Sequence, residues 1–224
     1  MDEKNIEENL KKLGYWEQMY SKPNAFGTGP TKLANIAHKK MKREGIKKIL
    51  ELGCGQGRDS LFFAEIGYDI TATDFSSEAI EFVNKQVVNN KIKNLIAFQL
   101  DMSKEFDLKQ KYDCLYSNLA LQFFDKNELK KIFERVSTHM DENGLFIFST
   151  KKPGDKYYNI GEKIGKDGFK TNEVTRYFFN KNDLSDLVSE YFRIETIDEM
   201  IHTNLDDTIS AWWYIISKKF SSFI

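Results

Sequence analysis

The sequence predicts an α/β fold: a doubly wound, mainly parallel sheet with helices on both faces and an antiparallel C-terminal strand. Three observations carry this. Between residues 46 and 150, short apolar runs alternate with segments of helical period, the pattern of strand–helix crossover units. Inside that repeat, the apolar run Ile49-Leu50-Glu51-Leu52 enters Gly53-Cys54-Gly55-Gln56-Gly57 and then a helix. Beyond Thr150 the alternation stops, and the chain ends in two apolar runs joined by the turn-prone Asn204-Leu205-Asp206-Asp207. The combination is Rossmann-like.

The elements follow in order. Leu33, Ile36, Ala37 and Met41 mark a helix that Gly45 ends. Residues 46–52 read as a strand, 58–66 as a helix and 68–73 as a strand. A helix over 76–88 places Ile80, Val83 and Val87 on one face, and strands follow at 95–100 and 112–117. The clearest helix is 125–139, where Leu129, Ile132, Phe133, Val136 and Met140 recur at steps of three and four. Asp125 with Glu128 gives it a capping-box start. Residues 144–150 form a strong strand. Residues 151–180 contain Gly154, Gly161, Gly165 and Gly168 without periodicity, so a long loop with at most short elements is expected there, and such loops are often functional. A helix over 182–190 and strands over 192–200 and 208–217 complete the chain. The expected organisation is one domain: a helical cap (1–45), a core (46–150), a lid (151–180), and a C-terminal helix and hairpin (181–224).

Composition narrows the function. The 224 residues are 41% apolar and 30% charged, which excludes a disordered or collagen-like chain. Lys and Arg total 33 against 34 acids, so the overall basic field of a general nucleic-acid binder is lacking. Cys54 and Cys114 lie sixty positions apart without a Cys/His cluster, so no metal site is expected. They read as reduced thiols of a cytoplasmic protein. The acidic start Met1-Asp2-Glu3-Lys4 is unlike a signal peptide, and no run reaches the ~18 apolar residues of a membrane span.

The glycine run is the most informative stretch. Glycines between a buried strand and a helix permit positive φ and close approach of a ligand, and the N–H groups at the helix start are free to bind it. A dinucleotide fingerprint needs glycine at the sixth position, which here is Arg58. The spacing G-x-G-x-G preceded by Glu51 instead resembles motif I of the class I S-adenosylmethionine-dependent methyltransferases. Downstream positions agree. Asp74 ends the second strand, where a carboxylate can accept both ribose hydroxyls. Asp101-Met102 ends the third strand, and Tyr112-Asp113-Cys114-Leu115-Tyr116-Ser117-Asn118 ends the fourth, leading into Leu119-Ala120-Leu121-Gln122-Phe123-Phe124 in the manner of motif IV. The resemblance implies S-adenosyl-L-methionine as cofactor and S-adenosyl-L-homocysteine as product. It sets Gly53, Cys54, Gly55 and Gly57 around the cofactor, Asp74 on the ribose, Phe75 and Met102 on the adenine faces, Asp101 on the adenine amino group, and Asn118 beside them. Gly57-Arg58-Asp59-Ser60 and residues 67–76, with the ending 212–219, resemble the tellurite-resistance and thiopurine methyltransferase-like branch. In that branch the aromatic pair of a W-x-x-x-Y segment lies near the methionine end of the cofactor, and Trp16 and Tyr20 occupy those places.

The same resemblance suggests a small-molecule acceptor. Aromatic residues gather in two segments, 15–26 and 157–179, read as partly core and partly walls of a closed pocket. Gln122, Phe123, Tyr157, Tyr158, Arg176 and His202 are the candidate pocket residues, with Arg176 suited to an anionic group or to a surface ion pair. Motif IV lacks the Asn/Asp-Pro-Pro-aromatic tetrad of base and glutamine amino methyltransferases, which argues against those acceptors. No catalytic residue is assigned. His139 reads as structural at a helix end, His38 as exposed, and His202 reaches a substrate only if the hairpin turns inward. Two other readings stay open: a protein or RNA methyltransferase, and a non-catalytic S-adenosylmethionine-binding protein.

Overall fold

The computed structural model describes residues 3–221. The chain divides into two compact units, one ending at Phe106 and the other beginning at Asp107.

The first unit runs α1 (Glu3–Tyr20), α2 (Lys32–Glu44), β1 (Lys48–Leu52), α3 (Arg58–Glu65), β2 (Asp69–Asp74), α4 (Ser77–Asn89) and β3 (Leu95–Gln99). Ile49, Leu50 and Leu52 of β1 are all fully buried, without the alternation of a one-sided strand. A strand buried on both faces is the mark of a parallel sheet covered by helices. β1 pairs with β2 from Lys48–Asp69 to Leu52–Thr73, and β2 with β3 from Ile70–Leu95 to Asp74–Gln99, all in parallel. The helices carry their own start and stop signals. Thr31 and Ser76 side chains accept from Ala34 N–H and Ala79 N–H, and Gly45 ends α2 at φ 69°.

The second unit runs β4 (Tyr112–Ser117), a 3₁₀ turn (Leu121–Phe123), α5 (Lys126–Thr138), β5 (Met140–Lys151), β6 (Glu162–Ile164), β7 (Gly168–Thr171), β8 (Val174–Tyr177), α6 (Lys181–Ser189), β9 (Phe192–Thr203) and β10 (Ile209–Lys219). β4 and β5 are parallel, while β10 is antiparallel to both β5 and β9. The large sheet has the strand order β3-β2-β1-β4-β5-β10-β9, as the predicted fold class requires. The Asp125–Glu128 capping box starts α5 as expected. Part of the aromatic excess is core: Phe133, Phe146, Phe148 and Phe192 pack with ring centroids 4.7–5.9 Å apart.

Two expectations change and a third is filled in. β5 begins at Met140 rather than at 144, because its register against β4 shifts between Tyr112 and Cys114 and hides the strand's first residues from any periodic pattern. The short elements allowed for in residues 151–180 are an antiparallel sheet, β6-β7-β8, with strands of only three or four residues. Its tight turn uses Asn172 (φ 50°) and Glu173 (φ 64°) where Asn-Gly would have announced a hairpin. His38 is half-buried rather than exposed, with Nδ1 3.0 Å from the Tyr68 hydroxyl.

Candidate functional site

In the first unit the glycine loop takes the backbone form its spacing predicts. Gly53, Gly55 and Gly57 have φ of 73°, 53° and 73°. Two of them are also required by contact. A Cβ on Gly57 would lie 2.7 Å from Val83 Cγ2, and one on Gly55 would lie 3.0 Å from the Tyr20 hydroxyl oxygen. The loop is aimed at the end of β2. Gly55 N–H donates to Asp74 Oδ2 at 2.8 Å, and Ser76 N–H donates to Oδ1 at 3.0 Å. Asp74 is only 4% exposed. Burial pushes its carboxyl up to about 6, partly offset by N–H donors from Ser76, Gly55 and Phe75. Three N–H donors leave part of the carboxylate's acceptor capacity, about four lone-pair sites in all, for a further donor.

A second buried acid stands behind the loop. Glu51 accepts from Ser60 Oγ, and burial followed by the Asp59 charge holds its carboxyl well above the usual range. Asp59 in turn binds the N-terminal segment, accepting from Thr31 N–H and Thr31 Oγ, both at 2.8 Å. That segment is fastened at three more places. Gln56 donates to the carbonyls of Tyr20 and Lys22 and accepts from Ala25 N–H. Arg58 donates to the carbonyls of Phe26 and Gly29. Glu17 accepts from Ser76 Oγ, Ser77 N–H, Ser77 Oγ and Glu78 N–H at the start of α4. Trp16 stacks on Tyr20 at 5.6 Å and 24°, and Phe26 packs on both rings. Sequence reasoning named Trp16 and Tyr20 but missed Glu17 and Gln56, whose partners lie 31–61 positions away.

The remaining cofactor candidates differ in their freedom. The Phe75 carbonyl accepts from Gln99 Nε2, and Met102 is buried. Asp101 is committed to a turn: Oδ1 accepts from Ser103 N–H and Ser103 Oγ, and Oδ2 is 3.4 Å from Lys104. Cys54 is buried, and burial with the Asp74 charge pushes its thiol well up, so it stays neutral.

The second unit gathers another group of side chains. Asn118 Oδ1 accepts from Ser149 Oγ at 2.6 Å, which also accepts from Leu119 N–H. The Arg176 guanidinium lies against the rings of Tyr157 at 4.5 Å and Phe123 at 5.7 Å. Lys151 and Asp155 form a buried ion pair. Burial lowers the Lys151 ammonium, with the Arg176 and Lys156 charges adding to it and Asp155 opposing. Tyr158 packs edge-on against Phe169 of the small sheet and Phe178 just beyond it. His202 is exposed on β9 opposite Ser210, and among the described residues none bonds to its ring. His139 is structural, with Nδ1 3.0 Å from the Arg135 carbonyl and Nε2 accepting from Leu108 N–H.

The model of the tellurite resistance protein TehB family matches residues 19–202. The chain belongs to the TehB family. A probable S-adenosyl-L-methionine-dependent methyltransferase TehB of Haemophilus influenzae is 29% identical over 144 residues, 61% of this chain and 50% of that protein. The chain thus spans about half the length of the curated TehB relatives it matches. Among solved structures, an S-adenosylmethionine-dependent methyltransferase from Methanosarcina mazei has a TM-score of 0.68 at 17% identity, covering 84% of this chain and 98% of its own. The N-methyltransferase NodS from Bradyrhizobium japonicum, in complex with S-adenosyl-L-homocysteine, has a TM-score of 0.67 at 10% identity, covering 93% and 98%. At such identities the two structures show a shared fold. Among the described residues no helix is long and apolar enough to cross a membrane, and no cluster of His, Cys, Asp and Glu could hold a metal.

Proposed function

We propose that this TehB-family chain is an S-adenosylmethionine-dependent methyltransferase acting on a small-molecule acceptor in the cytoplasm. The observation that carries it is Asp74: a buried carboxylate at the end of β2, fixed by N–H groups of the glycine loop and the α4 start, with acceptor capacity left over for a ligand. Two adjacent hydroxyls of a ribose are the donor pair that such a carboxylate takes up. The names of the relatives support the same reading.

When bound, S-adenosylmethionine supplies a methyl group on a positively charged sulfur, open to displacement by a nucleophile. The chain's residues bind and orient. Asp74 accepts the ribose hydroxyls, Phe75 and Met102 flank the adenine, and Asp101 offers Oδ2 to its amino group in competition with Lys104. Trp16 and Tyr20 give aromatic faces suited to a sulfonium, an attraction of ~0.5–2 kcal/mol. Positioning of this kind supplies ~7–11 kcal/mol of a bimolecular barrier. The N-terminal segment, tied down by Gln56, Arg58 and Asp59, excludes water from the loop it covers. The balanced charge, 33 basic against 34 acidic residues, supports a small acceptor over a nucleic acid.

Two experiments test this. Titration calorimetry should show micromolar binding of S-adenosylmethionine. Binding of NAD with none of S-adenosylmethionine would sink the reading. A screen over thiols, chalcogen oxyanions, phenols, amines and carboxylates should then release S-adenosylhomocysteine with at least one class. Silence on every class alongside tight cofactor binding would mark a binding protein rather than an enzyme.

A further inference from the structure

Arg176 is 8% exposed, yet no carboxylate answers it among the described residues. Its one hydrogen bond is to a neutral group, from Nη1 to Thr171 Oγ at 3.1 Å. The acid of the neighbourhood, Asp155, is already occupied. Its Oδ2 accepts from Lys151 Nζ and Ala211 N–H, and its Oδ1 accepts from Tyr157 N–H. Lys151, Arg176 and Asp155 are all buried, and their formal charges, two positive and one negative, leave an excess of one positive charge. Burial of an unpaired charge is costly and is ordinarily relieved by a partner or a ligand.

A second, independent observation lies beside Phe123. Gln122 is 5% exposed, and its Oε1 has no hydrogen-bond partner. An unpaired buried acceptor is costly, so it too is suited to a ligand, one with a donor group. The rings of Phe123 and Tyr157 against the guanidinium leave its N–H edge as the polar surface and add apolar walls for a carbon skeleton. A planar carboxylate matches that fork with two parallel hydrogen bonds, and a monoanion matches the single excess charge.

We propose that the Arg176 group binds the carboxylate of a small, monoanionic organic molecule bearing a hydroxyl or amine donor for Gln122. Resting on the methyltransferase reading above, this molecule is the acceptor. An inorganic oxyanion would satisfy the charge but would use neither the aromatic walls nor Gln122.

The test separates this site from the cofactor reading. The full chain is titrated with a panel of hydroxy- and amino-carboxylates, aliphatic and aromatic, each beside its neutral amide. Selenite and sulfate serve as inorganic probes. S-adenosylmethionine binding is measured separately on every variant and is unaffected in the site's own variants. At least one carboxylate should bind about 10–100-fold more tightly than its amide, the range of a charged hydrogen-bonded pair. Arg176→Gln should abolish that preference, and Arg176→Lys should retain only part of it. Without ligand, Arg176→Gln should also raise the melting temperature, because it removes an unanswered buried charge, whereas a purely structural arginine would lower it. The proposal is overturned if no carboxylate is preferred to its amide, if selenite or sulfate binds as tightly as the best carboxylate, or if Arg176→Gln keeps the preference. Loss of S-adenosylmethionine binding in the unmodified chain would instead strike the methyltransferase reading alone.

Discussion

The two units treat buried charge in opposite ways. In the first, the buried acids are met by neutral donors from the chain itself: Asp74 by Gly55 and Ser76 N–H, Asp59 by Thr31, and Glu51 by Ser60. In the second, Lys151 and Asp155 satisfy one another and Arg176 is left with a threonine hydroxyl and two rings. The first site is therefore built largely from backbone, complete before a ligand arrives, and suited to one invariant partner. The second is built from side chains around a charge that a ligand completes. The proposed methyltransferase, with one cofactor and an acceptor to select, would be served by this division.

The largest expected effect breaks the first half of the comparison. Asp74→Ala removes the carboxylate that both hydroxyls would share. Two charge-assisted hydrogen bonds of ~1.5–3 kcal/mol each translate to a loss of about 100-fold or more in S-adenosylmethionine affinity by calorimetry. Ligands of the Arg176 group should bind Asp74→Ala as they bind the parent. Unchanged cofactor affinity would remove the ribose assignment. Next comes Gly57→Ala, which adds a Cβ 2.7 Å from Val83 Cγ2 at a φ of 73°. Left-handed strain of ~1–2 kcal/mol and overpacking of ~1–3 kcal/mol add up to a destabilisation of about 2–5 kcal/mol, read from denaturant midpoints at constant slope. A neutral Gly57→Ala would show that the loop is not held rigid by α4.

Those predictions draw on what the sequence made legible, and the division between the units explains why. A left-handed backbone asks for glycine, and a carboxylate at a strand end must occur at a set place in the repeat. Gly53, Gly55, Gly57 and Asp74 were therefore readable as a pattern within one crossover unit. The fold class was readable for the same reason, since long apolar strands and a capped helix such as α5 are local features. Arg176 lies on a strand of four residues, too short to show a period, after a turn formed by Asn172 and Glu173 rather than glycine. Arg176, Gln122, Phe123 and Tyr157 were nameable as candidates from residue type, while the buried Lys151–Asp155 pair beside them was not. Lys151 and Asp155 join that group only through the folding of the chain around the small sheet, and no spacing along the chain encodes that meeting. The same holds for Glu17 and Gln56, which secure the N-terminal segment across distances that leave no local mark.

A pH series sharpens the contrast at a smaller amplitude. Burial raises the Asp74 carboxyl from its ordinary 3.8 to about 6. Its effect on stability runs against the usual carboxylate: the cost of burial is absent below about pH 4, grows as pH rises from there to about 6, and is complete above that. Hydroxyl donors favour the ionised form, so cofactor affinity should be highest above about pH 6 and fall about tenfold between about pH 7 and about pH 5. In Asp74→Asn that component of the pH dependence should vanish. If the parent's affinity were flat across this range, the carboxylate would not be an acceptor of cofactor hydroxyls.

The smallest effect concerns how the N-terminal segment is held. Glu17 gains four donors at the start of α4, where the helix dipole also favours a negative charge. Burial acts to raise its carboxyl, but the Glu78 and Ser77 N–H groups and the two serine hydroxyls outweigh it, and the net direction is down. Its stabilising contribution is thus complete above the ordinary carboxylate range and is lost as pH falls through its lowered value. Glu17→Gln keeps the shape and removes the charge, which should cost about 0.5–1 kcal/mol. Hydrogen exchange should place that loss locally: amides of α1 and of the first turn of α4 exchange about two- to fivefold faster, while amides of β5 and β10 keep their protection. Equal acceleration throughout the chain would mean that Glu17 supports global stability instead. In that case the N-terminal segment would unfold together with the rest of the chain, and could not open on its own.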